Sequence, residues 1–73
     1  MRYVSFTFSN GDEARCFESL VSTGQFYEPV QREGSWTWSM AFPSEVSFED
    51  AAKEIEDYLM GYGFFAGRDY QFN

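Results

Sequence analysis

The spacing of apolar residues constrains this fold most strongly, because it changes between two periods along the chain. Apolar side chains recur at every second residue in one segment and at helical spacing in the next, and this succession occurs twice. The two periods indicate strands and amphipathic helices in the order strand, helix, strand, strand, helix, strand. A chain of 73 residues has room for one core, so we predict a single domain over residues 1–73.

Two segments have the most regular strand patterns. Apolar and polar residues alternate over Arg2–Phe8 and again over Ser35–Phe42, so each segment turns one face to the core. Trp38 is in the middle of the second segment and on the same face as Phe6, which predicts a buried indole. The remaining strand positions predict an open, hydroxyl-rich sheet surface made of Tyr3, Ser5, Thr7, Tyr27, Gln31, Thr37, Ser39, Asp69 and Gln71.

The first helix and the second strand follow from caps and a proline. Asn10 followed by Glu13 has the spacing of a capping box and precedes a helix predicted over Gly11–Thr23. The segment Gln25–Arg32 has a weaker strand pattern, and Pro29 lacks the N–H that an interior strand must donate. We therefore expect the second strand at an edge of the sheet.

The second helix has the clearest amphipathic pattern. Ser47 and Asp50 repeat the capping-box spacing at its start, and a pair of glycines ends it. Its apolar stripe consists of Phe48, Ala51, Ala52, Ile55, Tyr58, Leu59 and Tyr62. The final segment, Phe65–Phe72, alternates again and predicts a fourth strand with Arg68 on the same side as Tyr70.

This order of elements is that of a split βαβ arrangement. It predicts an α+β, ferredoxin-like βαββαβ two-layer sandwich, with a four-stranded antiparallel sheet in the order 4-1-3-2 and both helices on one face. That order places strand 2 at an edge, in agreement with the position of Pro29.

The residues that most enzymes need are missing. Histidine, the most common general base and metal ligand, does not occur, and the only cysteine, Cys16, has no activating base in its pattern. We expect Cys16 to be a small buried or half-buried structural thiol. No phosphate-binding loop or paired-cysteine motif is present. The sequence predicts no catalytic residue, no metal and no cofactor; a small phosphate-handling enzyme that uses Arg68 or Arg15 is the least favoured alternative.

Composition limits the compartment and the partners. The net charge of −7 repels nucleic acid and anionic lipid, so direct binding to either is disfavoured. No apolar run has the length of a membrane-spanning helix, and a single cysteine cannot form an intramolecular disulfide. We therefore expect a soluble, cytoplasmic protein.

The excess negative charge is the strongest binding feature. Lys53 has the helical spacing to pair with Glu49 and Asp57, but the other carboxylates of this helix repel one another or lack a partner. Acidic residues of the first helix extend the field, because both helices lie on one side of the sheet. With two flanking aromatic residues, the predicted partner-binding set is Glu13, Glu18, Trp36, Glu45, Glu49, Asp50, Glu54, Glu56, Asp57 and Phe64.

Carboxylates spaced about 5 to 6 Å apart on a helix resemble a row of phosphates. This predicts a small acidic protein-binding module that inhibits a basic, nucleic-acid-handling protein by charge mimicry, the strategy of inhibitors from phage and other mobile elements. A role in solubility alone would also explain the acidic residues of the helices. The alternative function is a self-associating regulatory or scaffold module, a homodimer rather than a monomer, that pairs through a sheet edge or the open sheet surface.

Overall fold

The elements of the fold follow the predicted order in a computed structural model that describes residues 1–73. They are β1 (Arg2–Phe8), α1 (Gly11–Ser22), β2 (Gln31–Arg32), β3 (Thr37–Phe42), α2 (Phe48–Met60) and β4 (Tyr70–Phe72). The strands form one antiparallel sheet in the order β2-β3-β1-β4, which reads 4-1-3-2 from the opposite edge. This α+β architecture is consistent with a ferredoxin-like sandwich. Neither helix is long and apolar enough to span a membrane.

Both helices begin at the caps that the sequence predicts. The side-chain oxygen of Asn10 accepts the N–H of Glu13 at 2.9 Å, and the hydroxyl of Ser47 accepts the N–H of Asp50 at 3.1 Å. Each bond satisfies a donor that the first helical turn leaves free, and loss of such a cap typically costs about 1 kcal/mol. After α1 the chain reverses at Gly24, whose φ of +77° favours glycine.

The core lies between one face of the sheet and both helices. Phe17 of α1 is at its centre, with its ring centroid 5.9 Å from that of Phe6 and 5.1 Å from that of Trp38. The prediction of a buried Trp38 is confirmed. Because β1 sends Val4, Phe6 and Phe8 into this cluster together with residues of α1 and α2, both helices cover the same face. The cluster contains Val4, Phe6, Phe8, Ala14, Phe17, Phe26, Trp38, Met40, Phe42, Ala51, Ile55, Leu59, Phe64 and Tyr70.

The second strand is shorter than predicted. Only Gln31 and Arg32 pair with β3, at the sheet edge, whereas the segment from Gln25 to Val30 forms no ladder. The N–H groups of Gln25 and Phe26 are bonded to the carbonyl of Leu20 instead, because the chain is still completing the end of α1.

The fourth strand begins at Tyr70 rather than Phe65. The carboxylate of Asp69 accepts the N–H of Phe65 at 2.8 Å, and the N–H of Asp69 donates to the carbonyl of Phe65 at 2.9 Å. These two bonds close a turn, so Arg68 does not share a strand face with Tyr70 as predicted.

The uncovered sheet face is smaller than predicted. Ser5 lies opposite Ser39 and Thr7 opposite Thr37, where the two threonine hydroxyls are 2.9 Å apart. Tyr27 and Asp69 were predicted on this face, but both lie outside the strands. The centre of this face therefore consists of small hydroxyl side chains, of which Ser39 is buried and donates its hydroxyl to the carboxylate of Glu33 at 3.0 Å.

Candidate acidic interaction surface

Ion pairs decide which of the predicted acidic residues carry free charge. Three arginines are paired: Arg15 with Asp12, Arg32 with Glu18 at 2.8 Å, and Arg68 with Asp69 at 2.8 Å. Arg2 and Lys53 form no ion pair. The chain has 12 carboxylate residues, so three ion pairs leave nine without a cationic partner.

Most of the free carboxylates lie on and immediately before α2. Six of the nine fall within residues 45–57, a stretch in which Lys53 is the only cation. We call this set the α2 acidic surface; it consists of Glu45, Glu49, Asp50, Glu54, Glu56 and Asp57. All are exposed except Glu56, which is half-buried. The structure thus concentrates the free charge on one helix.

The apolar stripe of α2 sets the direction of this surface. Ala51, Ala52, Ile55 and Leu59 are buried against the sheet, which turns the acidic residues outward. The predicted stripe is too long at its ends, because Phe48 is 43% exposed and Tyr62 is 38% exposed. Helix α2 is therefore anchored by its middle turns and presents its charges on a fixed framework.

Local contacts on α2 differ from the predicted pairing. Lys53 makes no ion pair with Glu49 or Asp57, so it does not neutralise either one. The hydroxyl of Tyr58 donates to the carboxylate of Glu54 at 3.0 Å. Partial burial, this hydrogen bond and the nearby charge of Glu28 raise the pKa of Tyr58. Glu54 is therefore the one carboxylate of the surface with a fixed side-chain partner.

Helix α1 contributes less charge than the sequence suggests. The Arg32 guanidinium pairs with Glu18 and also lies over the Trp38 ring, 5.2 Å from its centroid. Glu18 is thereby neutralised by the edge strand. Glu13 is half-buried and has no ion pair, so it is the predicted residue of α1 that keeps its charge.

The two predicted aromatic residues have different environments. Trp36 is 45% exposed, but it lies beside Gly11, where an added Cβ would be 3.6 Å from its ring, and thus next to the first turn of α1 rather than on α2. Phe64 is only 5% exposed and packs on Phe8 with a centroid distance of 5.3 Å. Phe64 is therefore mainly a core residue, with only an edge that lines the surface grooves.

Two exposed apolar residues that the sequence analysis did not select flank the α2 acidic surface. Met60 is 49% exposed and Phe65 is 42% exposed, and with Glu56 they line a shallow groove of about 210 Å³. The guanidinium of Arg68 stacks on Phe65 at 4.6 Å. The position of Met60 beside the α2 acidic surface could have been predicted from helical spacing. Met60 is four residues after Glu56 and therefore lies on the same side of α2.

Cys16 is exposed, contrary to the prediction of a buried or half-buried thiol. It lines a second groove, between α1 and the turn after α2. No cluster of three or more His, Cys, Asp or Glu side chains is positioned to hold a metal ion.

Comparison with known proteins provides no relative. No protein-family model matches the chain, and no curated protein or solved structure is significantly similar to it.

Proposed function

We propose that this chain is a small acidic protein-binding module that inhibits a basic, nucleic-acid-handling protein by occupying its nucleic-acid-binding surface. The contact is the α2 acidic surface. An inhibitor of this kind, of the type that phage and other mobile elements encode, acts by steric and electrostatic blocking and needs no catalytic residue. The free thiol of Cys16 supports a cytoplasmic location, where thiols stay reduced.

The density of free charge on α2 is the observation that carries the proposal. From Glu49 to Asp57 the helix rises about 12 Å. Five carboxylates and the ammonium of Lys53 leave four negative charges in that length, or one per about 3 Å. A single strand of duplex DNA carries one phosphate per about 3.4 Å. The average density of free charge along α2 is thus close to that of a phosphate strand, which supports a partner with a phosphate-binding groove.

The framework of α2 favours binding over a role in solubility. Ala51, Ile55 and Leu59 hold the helix against the sheet, so the backbone that carries the charges is ordered before a partner arrives. An ordered helix loses little backbone freedom on association, and complementary charge accelerates the encounter. Charges that serve solubility alone need no such concentration on one helix.

Retention of basic proteins from a cell extract tests the proposal. The immobilised chain should retain a nucleic-acid-binding protein at about 50 mM salt and release it by about 500 mM, because ion pairs between exposed groups are screened. Double-stranded DNA should displace the same protein. Retention that is unchanged at 500 mM salt, or that DNA does not affect, would contradict charge mimicry.

A further inference from the structure

A second groove lies on the helical side of the molecule, between α1 and the turn that follows α2. Glu13, Cys16 and Leu20 form its α1 wall, and Tyr62 and Phe64 form the opposite wall. Its volume is about 450 Å³. The α1 wall covers about two helical turns, or about 10 Å. The groove is therefore large enough for one or two apolar side chains of a partner.

The walls of this groove are held in place by contacts within the chain. The hydroxyl of Tyr62 donates to the carbonyl of Gln25 at 2.6 Å, and its ring packs on Phe26 at a centroid distance of 5.3 Å. Phe64 is fixed from below by Phe17, with a centroid distance of 6.2 Å. A groove that exists before binding costs little to order.

A free carboxylate lies in the wall of the groove. Glu13 lines the groove and has no ion pair. An apolar groove with a carboxylate in its wall is complementary to an apolar side chain that has a cation beside it.

Arg68 is already bonded elsewhere and does not neutralise Glu13. Hydrogen bonding to Asp69 is the main cause of the raised pKa of the Arg68 guanidinium, and the charge of Glu13 contributes least. Arg68 donates to both carboxylate oxygens of Asp69 and to the carbonyl of Gly63. The Arg68 guanidinium is therefore bonded within the turn before β4, and Glu13 remains available to a partner.

We propose that this groove receives an apolar side chain from an amphipathic helix of the basic partner, while a lysine or arginine one turn away on that helix contacts Glu13. The inference rests on the proposed function, because it assigns the partner its basic character. A second copy of this chain is disfavoured as the occupant, since each copy carries a net charge of −7. The groove adds shape specificity to a surface that otherwise selects only by charge.

Cys16 provides a built-in reporter, because it is the only cysteine and its exposed thiol lies in the groove wall. The probes are three synthetic helical peptides of about 14 residues. The first combines lysines with a leucine stripe, the second replaces the leucines by glutamine at the same charge, and the third keeps the leucines but replaces the lysines by glutamate. Affinity for the full chain and the rate of Cys16 modification by a thiol reagent are measured for each.

The lysine and leucine peptide should bind about 10-fold to 100-fold more tightly than the glutamine peptide, the effect expected from burying one leucine. It should also slow the modification of Cys16 at least 10-fold. The substitution Ser19→Trp, which fills the groove, should remove both effects, whereas the control Ser22→Trp, at the end of α1, should keep them.

The remaining outcomes separate this inference from the proposed function. Equal affinity for the two lysine peptides, with an unchanged Cys16 rate, would overturn the groove assignment and leave the α2 acidic surface intact. Tightest binding of the glutamate peptide would show an apolar ligand without basic character and overturn the inference as well. If neither lysine peptide binds at about 50 mM salt, both proposals fail.

Discussion

The guanidinium of Arg32 lies 2.8 Å from the carboxylate of Glu18 and thereby ties the edge strand β2 to helix α1. The same guanidinium covers the ring of Trp38. This one residue protects a sheet edge, shields part of the core and cancels a charge of α1. The helical layer is consequently asymmetric, with a largely neutralised α1 beside a strongly acidic α2.

Tyr70 carries a buried polar group whose removal should stabilise the fold. Its side chain is fully buried, and its hydroxyl has no hydrogen-bond partner. Because a buried unsatisfied polar group costs about 1–3 kcal/mol, Tyr70→Phe should increase the free energy of unfolding by about 1 kcal/mol. Urea unfolding at pH 7 measures the change. A loss of 1 kcal/mol or more would mean that the hydroxyl has a partner in solution.

The same variant should alter the stability at high pH. Burial, with the charges of Glu56 and Asp69, raises the pKa of Tyr70 to about 12. In the unfolded chain this pKa is about 10, so the folded state holds the proton more tightly, and the stabilisation is lost as the pH rises from 10 toward 12. The difference in the free energy of unfolding between Tyr70→Phe and the wild type should therefore grow across this range. A constant difference would contradict the raised pKa of Tyr70.

Asp69 should make the turn before β4 sensitive to acid. Hydrogen bonds from Arg68 and from the N–H of Phe65 lower the pKa of Asp69. The stabilisation is present above the unfolded value of about 3.9 and is lost as the pH falls through the lower folded value. Asp69→Asn should thus lower the urea midpoint at pH 7, and the difference from wild type should shrink below pH 4. Glu45→Gln, at an exposed residue without a hydrogen bond, is the control and should have little effect.

The parts of the fold that local chemistry determines could be predicted from the sequence. Asn10 and Ser47 cap their helices through bonds to residues three positions later, and the alternation around Phe6 and Trp38 follows directly from burial of one strand face. Each of these features depends on neighbours within a few residues, so its pattern is visible along the chain.

The predictions that failed concern features that depend on contacts between distant or competing groups. The sequence does not reveal that Arg32 reaches Glu18, because the two residues meet only when the edge strand packs beside α1. The bond from the N–H of Phe65 to Asp69 replaces a strand ladder, and the resulting turn buries Phe64 and exposes Phe65. Adjacent phenylalanines carry no local signal that distinguishes these two outcomes.

The oligomeric state discriminates between the proposed function and self-association. A face of four short strands covers an area on the order of 400 Å², below the roughly 800 Å² per partner of a standard stable interface. The hydroxyl side chains at its centre also provide little apolar area. Light scattering should therefore give the monomer mass of 8.5 kDa at both low and high salt. A stable species of twice that mass would favour the self-associating module instead.

The central claim is that the position of the charge on α2, not the net charge, determines binding, and a matched pair of charge reversals tests it most directly. Glu49→Lys with Asp57→Lys places three lysines along the exposed side of α2, whereas Asp12→Lys with Glu33→Lys makes the same change in net charge elsewhere. For the basic protein that the wild-type chain retains, the first variant should lose at least about 100-fold in affinity, equivalent to about 2.7 kcal/mol. The second should stay within about 3-fold of the wild type. Equal losses in both variants, or no loss in the first, would contradict the account.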